Sequence, residues 1–155
     1  MIDYQRQFHI GVRVPDLGVA MAELGTQLGL QWAKPQELNQ RVWSPTSGDM
    51  TVALRYTYSM QGPQHLELLE GPPGSIWHGE DRTGAHHLGI WVDDVVAETS
   101  RLIAAGWTLE LAQRPPEKGF GAFSYVRSPD GVLIEPVLAA MQPMFERWWA
   151  GGELR

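Results

Sequence analysis

Four residues carry the types and placement that metal chemistry asks for: His9, Glu67, His87 and Glu135. His9 opens the phrase His-Ile-Gly-Val-Arg-Val-Pro-Asp-Leu at residues 9–17, and His87 opens His-Leu-Gly-Ile-Trp-Val-Asp-Asp-Val at residues 87–95. Histidine, glycine, valine and aspartate coincide at matching places, and aliphatics coincide with aliphatics. Glu67 sits in Leu-Glu-Leu and Glu135 in Ile-Glu-Pro, each on the last strand expected of its half. A lone strand histidine is usually a satisfied structural residue, and a lone strand glutamate usually faces water. Matched pairs in two copies of one phrase are harder to explain that way. A carboxylate flanked by aliphatics needs a partner if its strand is covered, because burying a lone charge is costly. Two imidazoles and two carboxylates brought to one centre make a site for a divalent metal such as Ni, Co, Mn, Fe or Zn.

The elements that must position these groups follow from the repeat. Internal repeats govern the whole fold reading, and this one is too long in period for a solenoid, so it reads as a duplicated half-domain. Each phrase is extended and then breaks at Asp16 or Asp94, an N-cap signal before an apolar-periodic run. Helices are expected over 17–30, with Gly29 as the stop, and over about 95–105, stopping at Gly106. On a strand, alternate side chains share a face. His9, Gly11 and Arg13 therefore point one way, as do His87, Gly89 and Trp91, while His86 points away from His87.

Each half continues with three strands. In the first they are "RVWS", "MTVALRYTY" and "HLELLE", and residues 31–39 look irregular because Lys34-Pro35 disfavours helix. In the second they are "WTLELAQ", "AFSYVRS" and "VLIEPVL", with "RPPEKGFG" as a loop and "PDG" as a turn. The expected organisation is a first module at about 5–70, a connector at about 71–84, a second module at about 85–140 and a tail at 141–155. Met144, Phe145, Trp148 and Trp149 in the tail fall near one helical stripe, predicting a short C-terminal helix over its own domain, a partner chain or a pocket mouth. His65 shares a face with Glu67 and reads equally as an accessory polar group or a surface residue.

Composition bounds the partners. A chain of 155 residues is one domain of ordinary size, expected to bury roughly 70% of its unfolded surface. The absence of cysteine excludes disulfides, thiolate zinc sites and cysteine nucleophiles. A net charge of −6 argues against a phosphate-backbone-binding surface. No run approaches a membrane span, and "MIDYQRQF" lacks a signal-peptide core, so a cytoplasmic protein without nucleic-acid or membrane partners is expected. Seven tryptophans are many for this length and suit either a core or a pocket for a ring-bearing ligand.

With these residues in view, "FHIGVRVPDL", "HLELLE", "HHLGIWVDD" and "SPDGVLIEPV" resemble the vicinal oxygen chelate superfamily, which includes glyoxalase I, methylmalonyl-CoA epimerase, extradiol dioxygenases, fosfomycin resistance enzymes and bleomycin-binding proteins. The resemblance spans nearly the whole chain. It implies an α+β fold in which paired βαβββ modules form a curved, cup-shaped mixed sheet with helices outside. It also implies a metal held by His9, Glu67, His87 and Glu135. The four-ligand set is similar to that of bacterial glyoxalase I, as is Arg13 in the first strand. The opening phrase and "ELLEGPPG" are more similar to the epimerase branch, whose second ligand is typically glutamine where this chain has Glu67.

The expected activity is that of a metal-dependent isomerase or epimerase, or a glyoxalase-like lyase. A small-molecule carbonyl or vicinal-oxygen substrate would lose a C–H proton to Glu135 or Glu67 while a divalent ion stabilises the enolate or enediolate. Arg13 reads as a holder of an anionic substrate group or as an ordinary strand arginine, and Trp91 as a pocket wall or core filler. Rival readings are an Fe(II)-dependent dioxygenase and a non-catalytic binder of a drug or metabolite. A homodimer is the expected assembly, as the commonest closed one.

Overall fold

The computed structural model describes residues 1–155. The strand–helix–three-strand order occurs twice. The first copy is β1 (Gln7–Arg13), α1 (Leu17–Leu28), β2 (Gln36–Ser44), β3 (Gly48–Tyr58) and β4 (His65–Glu70). The second is β5 (Gly84–Val92), α2 (Val95–Ala104), β6 (Thr108–Ala112), β7 (Ser124–Arg127) and β8 (Leu133–Leu138), and α3 (Gln142–Trp149) closes the chain. The fold is α+β with a mixed sheet and a short C-terminal helix. No helix is long and apolar enough to cross a membrane.

Both repeat helices start as their aspartates dictate. The Asp16 carboxylate accepts the Val19 N–H at 2.8 Å, and the Asp94 carboxylate accepts the Ala97 N–H at 2.9 Å. Each satisfies one of the amides that a helix leaves unbonded at its start. α1 ends at Gly29 in the left-handed region, φ 67°, where a side chain would be strained.

The chain folds into two compact units that interleave in sequence. One comprises Phe8–Gln40, Val52–His86 and Pro143–Arg155. In it β1 pairs in parallel with β4, and β4 antiparallel with β3. α1 covers one face of β1 and β4, where Val14, Leu17 and Leu68 form a core with Leu24, Trp32 and Leu66 packed on it. By strand alternation, His9 and Glu67 belong to the opposite face. α3 buries Phe145, Trp148 and Trp149 in this same unit. Their rings meet Phe8, Tyr56, Tyr58 and His65. Of the three coverings open to the tail in sequence, the aromatic stripe therefore takes its own chain. Trp148 Nε1 also donates to the Lys34 carbonyl at 3.0 Å, which fixes the helix by a polar bond as well as by burial.

The other unit comprises Met1–Gln7, Arg41–Thr51 and His87–Gln142. Here β5 pairs in parallel with β8, β8 antiparallel with β7, and β7 antiparallel with β6. β6 meets the end of β2 through Trp43 and Ala112. α2 packs Leu102 against Ile90, Val126 and Ile134, and Val95 against Val92, Ala112 and Phe120. Thr99 and Ser124 hydroxyls bond at 2.8 Å inside this packing, so neither is buried without a partner.

One expectation needs correction. Residues 31–39 are not all irregular, since β2 begins at Gln36. Pro35 forbids helix before it but is compatible with extended backbone. The strand was hidden because Gln36–Arg41 alternates half-buried with exposed residues that are nearly all polar. Within the loop "RPPEKGFG", as expected between two strands, Pro116–Lys118 forms a 3₁₀ turn that ends at Gly119, φ 70°.

Candidate metal centre

The two repeats build the same local arrangement, one in each unit. In the first, the parallel register sets Gly11 opposite Glu67 and His9 opposite His65. His9 Nε2 lies 3.1 Å from Glu67 Oε2, with the histidine wholly buried and Glu67 at 5% exposure. In the second, Gly89 stands opposite Glu135, and His87 Nε2 lies 3.3 Å from Glu135 Oε2. His87 is 3% exposed and Glu135 7%. The reason is the shared phrase. Histidine and glycine two residues apart share a face, and a strand paired in parallel brings a glutamate to the glycine position, within reach of the histidine. The glycine adds no side chain there.

The strand period separates this glutamate from its neighbour. Glu70 falls on the other face of β4, where its carboxylate accepts the Leu17 N–H at 2.6 Å and the Arg55 guanidinium at 2.9 Å. Arg55 also bonds Glu37 at 2.8 Å. The Glu70 hydrogen bond holds the Arg55 pKa above its ordinary value. Glu70 thus anchors the start of α1, whereas Glu67 faces a histidine.

His65 is buried rather than exposed. It is 7% exposed, its Nδ1 meets the Ser59 carbonyl at 2.6 Å, and its ring stacks on Trp149 at 3.8 Å between centroids. Burial pushes its pKa below the ordinary histidine value. Arg13 is half-buried and donates from Nη1 to the Ile76 carbonyl at 3.4 Å. Trp91 is 4% exposed and stands opposite Val137. His86 is half-buried, while His87 beside it is buried.

Two residues absent from the sequence reading adjoin the histidines. The Tyr58 ring meets His9 edge-on, centroids 5.2 Å apart and planes at 80°. The Tyr125 ring meets His87 in the same way, at 4.9 Å and 89°. A signal existed, since both repeats place a tyrosine on the strand that precedes the glutamate strand. A cavity of about 600 Å³ also opens near the start of α1, bordered by Pro15, Arg55, Glu70, Pro72 and His78. Neither His9 nor Glu67 lines it.

A family model described as the glyoxalase/bleomycin resistance protein/dioxygenase superfamily matches residues 8–126. Among solved structures, methylmalonyl-CoA epimerase from Mycobacterium tuberculosis is similar with a TM-score of 0.61 at 20% identity, over 89% of this chain and 92% of that one. A variant of the Streptomyces coelicolor methylmalonyl-CoA epimerase in complex with 2-nitronate-propionyl-CoA gives 0.58 at 20% identity, over 86% and 96%. A 4-hydroxymandelate synthase mutant from Streptomyces coelicolor gives 0.55 at 20% identity, over 86% of this chain but only 37% of that one. At these identities the likeness is one of fold. No curated protein matches the sequence.

Proposed function

The chain belongs to the glyoxalase/bleomycin resistance protein/dioxygenase superfamily, and from that premise we propose that it is a divalent-metal-dependent epimerase or isomerase acting on a small carbonyl compound. The observation that carries this reading is the same buried pair in each repeat: His9 Nε2 lies 3.1 Å from Glu67 Oε2, and His87 Nε2 lies 3.3 Å from Glu135 Oε2. The donor set fits a divalent cation. Two carboxylates and two imidazoles suit Ni, Co, Mn, Zn or Fe(II), and a cation offsets the cost of burying two carboxylates.

When bound, such an ion supplies Lewis-acid stabilisation of negative charge on a substrate oxygen. The protein supplies the proton transfer. One glutamate, Glu67 or Glu135, as the carboxylate, accepts the proton from the carbon beside the carbonyl; the C–H electron pair becomes the carbon–carbon π bond and the carbonyl π pair moves onto oxygen as the enolate forms. The other glutamate, starting as the carboxylic acid, gives its proton to the opposite face of that carbon and inverts it, so the two glutamates end with their protonation states exchanged. Return of the proton to a neighbouring atom gives isomerisation instead. Arg13 serves this scheme as the holder of an anionic substrate group, and Trp91 as an apolar wall. The epimerase fold likeness makes 2-substituted acyl thioesters the first substrate class to screen.

The test is metal content by elemental mass spectrometry, for the wild type and for the His87→Ala/Glu135→Ala double variant. Near-stoichiometric metal in the wild type, lost in the variant, is the expected result. Deuterium should then enter acyl thioesters in heavy water with the loaded wild type alone. A wild type that stays metal-free after incubation with Ni, Co, Mn, Zn and Fe(II) would falsify the reading and leave a small-molecule binding module.

A further inference from the structure

We infer that Tyr58 and Tyr125 are a matched pair of positioning residues, each fixing the ring plane of the histidine beside it so that Nε2 faces its glutamate. The inference rests on the metal reading above for its purpose, but its geometry stands independently in each repeat. Tyr58 lies on β3 directly opposite Glu67 in the antiparallel register. Just before β7, Phe123 faces Val137 in an isolated bridge, and on β7 Val126 faces Ile134. The same register between those two pairs sets Tyr125 opposite Glu135. Each glutamate is therefore flanked by two strands: one carries the glycine and histidine of the repeated phrase, the other a tyrosine.

In both copies the tyrosine ring lies edge-on to the imidazole, at 80° and 89°. Aromatic pairs favour this T-shaped contact, and it restricts rotation about the second side-chain torsion of histidine, which is otherwise broad. Both tyrosines are buried, at 3% and 2% exposure. Each is held in turn. Tyr58 is packed by Phe145, Trp148 and Trp149 of α3, at 5.7, 5.5 and 5.8 Å between centroids. Tyr125 is packed by Phe123 at 6.0 Å. Groups that orient a ligating histidine are usually hydrogen-bond partners, and their loss weakens metal binding. Here the orienting contact is an aromatic ring, which the tyrosine and phenylalanine side chains share and an aliphatic side chain lacks.

The test compares Tyr58→Phe and Tyr125→Phe with Tyr58→Leu and Tyr125→Leu, all checked for folding by circular dichroism. Tyr58→Met and Tyr125→Met replace any leucine variant that does not fold. Co(II) titration followed by its visible absorption should show about a tenfold or greater loss of affinity and an altered band envelope in the aliphatic variants. The phenylalanine variants should restore both. Folded aliphatic variants that bind Co(II) as the wild type does, or phenylalanine variants that lose as much as leucine, overturn the inference. A second readout needs no metal: nitrogen–proton ring spectra of His9 and His87 in the metal-free protein. Leucine should broaden or shift those resonances and phenylalanine should preserve them. If the wild type binds no Co(II), the functional reading fails, and the ring spectra still decide whether the tyrosines set the histidines.

Discussion

Gly11 stands directly opposite Glu67 across the parallel strands β1 and β4. Gly89 repeats this opposite Glu135. A side chain at position 11 would share the face of His9 and Glu67. Gly11→Val is therefore expected to lower metal affinity by about 10–100-fold, the range seen when the supports of a metal ligand are disturbed. Co(II) titration of the folded variant measures this, and an unchanged affinity would mean that Glu67 has room to spare.

Metal uptake should depend on pH with a definite sign. Imidazole ligands bind in the neutral form, so protons compete with the ion. Apparent affinity should fall as the pH drops through the range in which the histidines take up protons. Titrations with Co(II) at pH 5.5 and 7.5 check the direction. Equal affinities at the two values would overturn this expectation.

Trp149 is 8% exposed and joins α3 to His65, Phe8 and Tyr58 through ring contacts. Trp149→Ala removes a large buried ring and should cost about 3–5 kcal/mol. The melting temperature should fall on the order of 10 °C. Thermal unfolding by circular dichroism reads this directly, and a shift of only a degree or two would show that α3 contributes little to stability.

Gly79 passes against the backbone of Val14. A Cβ there would lie 2.7 Å from both the nitrogen and the carbonyl carbon of Val14. Val14 N–H is already committed to the Leu69 carbonyl at 2.9 Å, so that backbone cannot withdraw without losing a hydrogen bond. Gly79→Ala should destabilise by about 1–3 kcal/mol, as overpacking does. Denaturant midpoints for Gly79→Ala beside Gly74→Ser offer the comparison. Position 74 has open space but a positive φ of 85°, so its cost would come from backbone strain alone.

The two helix caps should behave alike. Asp16→Ala and Asp94→Ala each remove one acceptor from the first turn. Each should cost about 1 kcal/mol, and asparagine should recover most of it. Chemical denaturation of the four variants tests this. A cost confined to one repeat would show that the helices do not depend on their caps equally.

The sequence by itself determined the repeat, the two capped helices and the faces of the phrase-bearing strands. Those features arise from local rules: an aspartate bonds an amide three residues on, and a strand alternates every residue. His9, Gly11, His87 and Gly89 were legible for that reason. The start of β2 at Gln36 was not legible, because its half-exposed polar residues carry no apolar alternation. Pairing was decided only in three dimensions. Register brings Glu67 to Gly11 and Glu135 to Gly89 through hydrogen bonds between strands far apart in sequence. The same non-local packing carries Tyr58 and Tyr125 to the histidines and seats the tryptophans of α3 on Tyr58 and His65. Those contacts depend on which surfaces remain to be buried once the strands have paired, and no local pattern of residues encodes that.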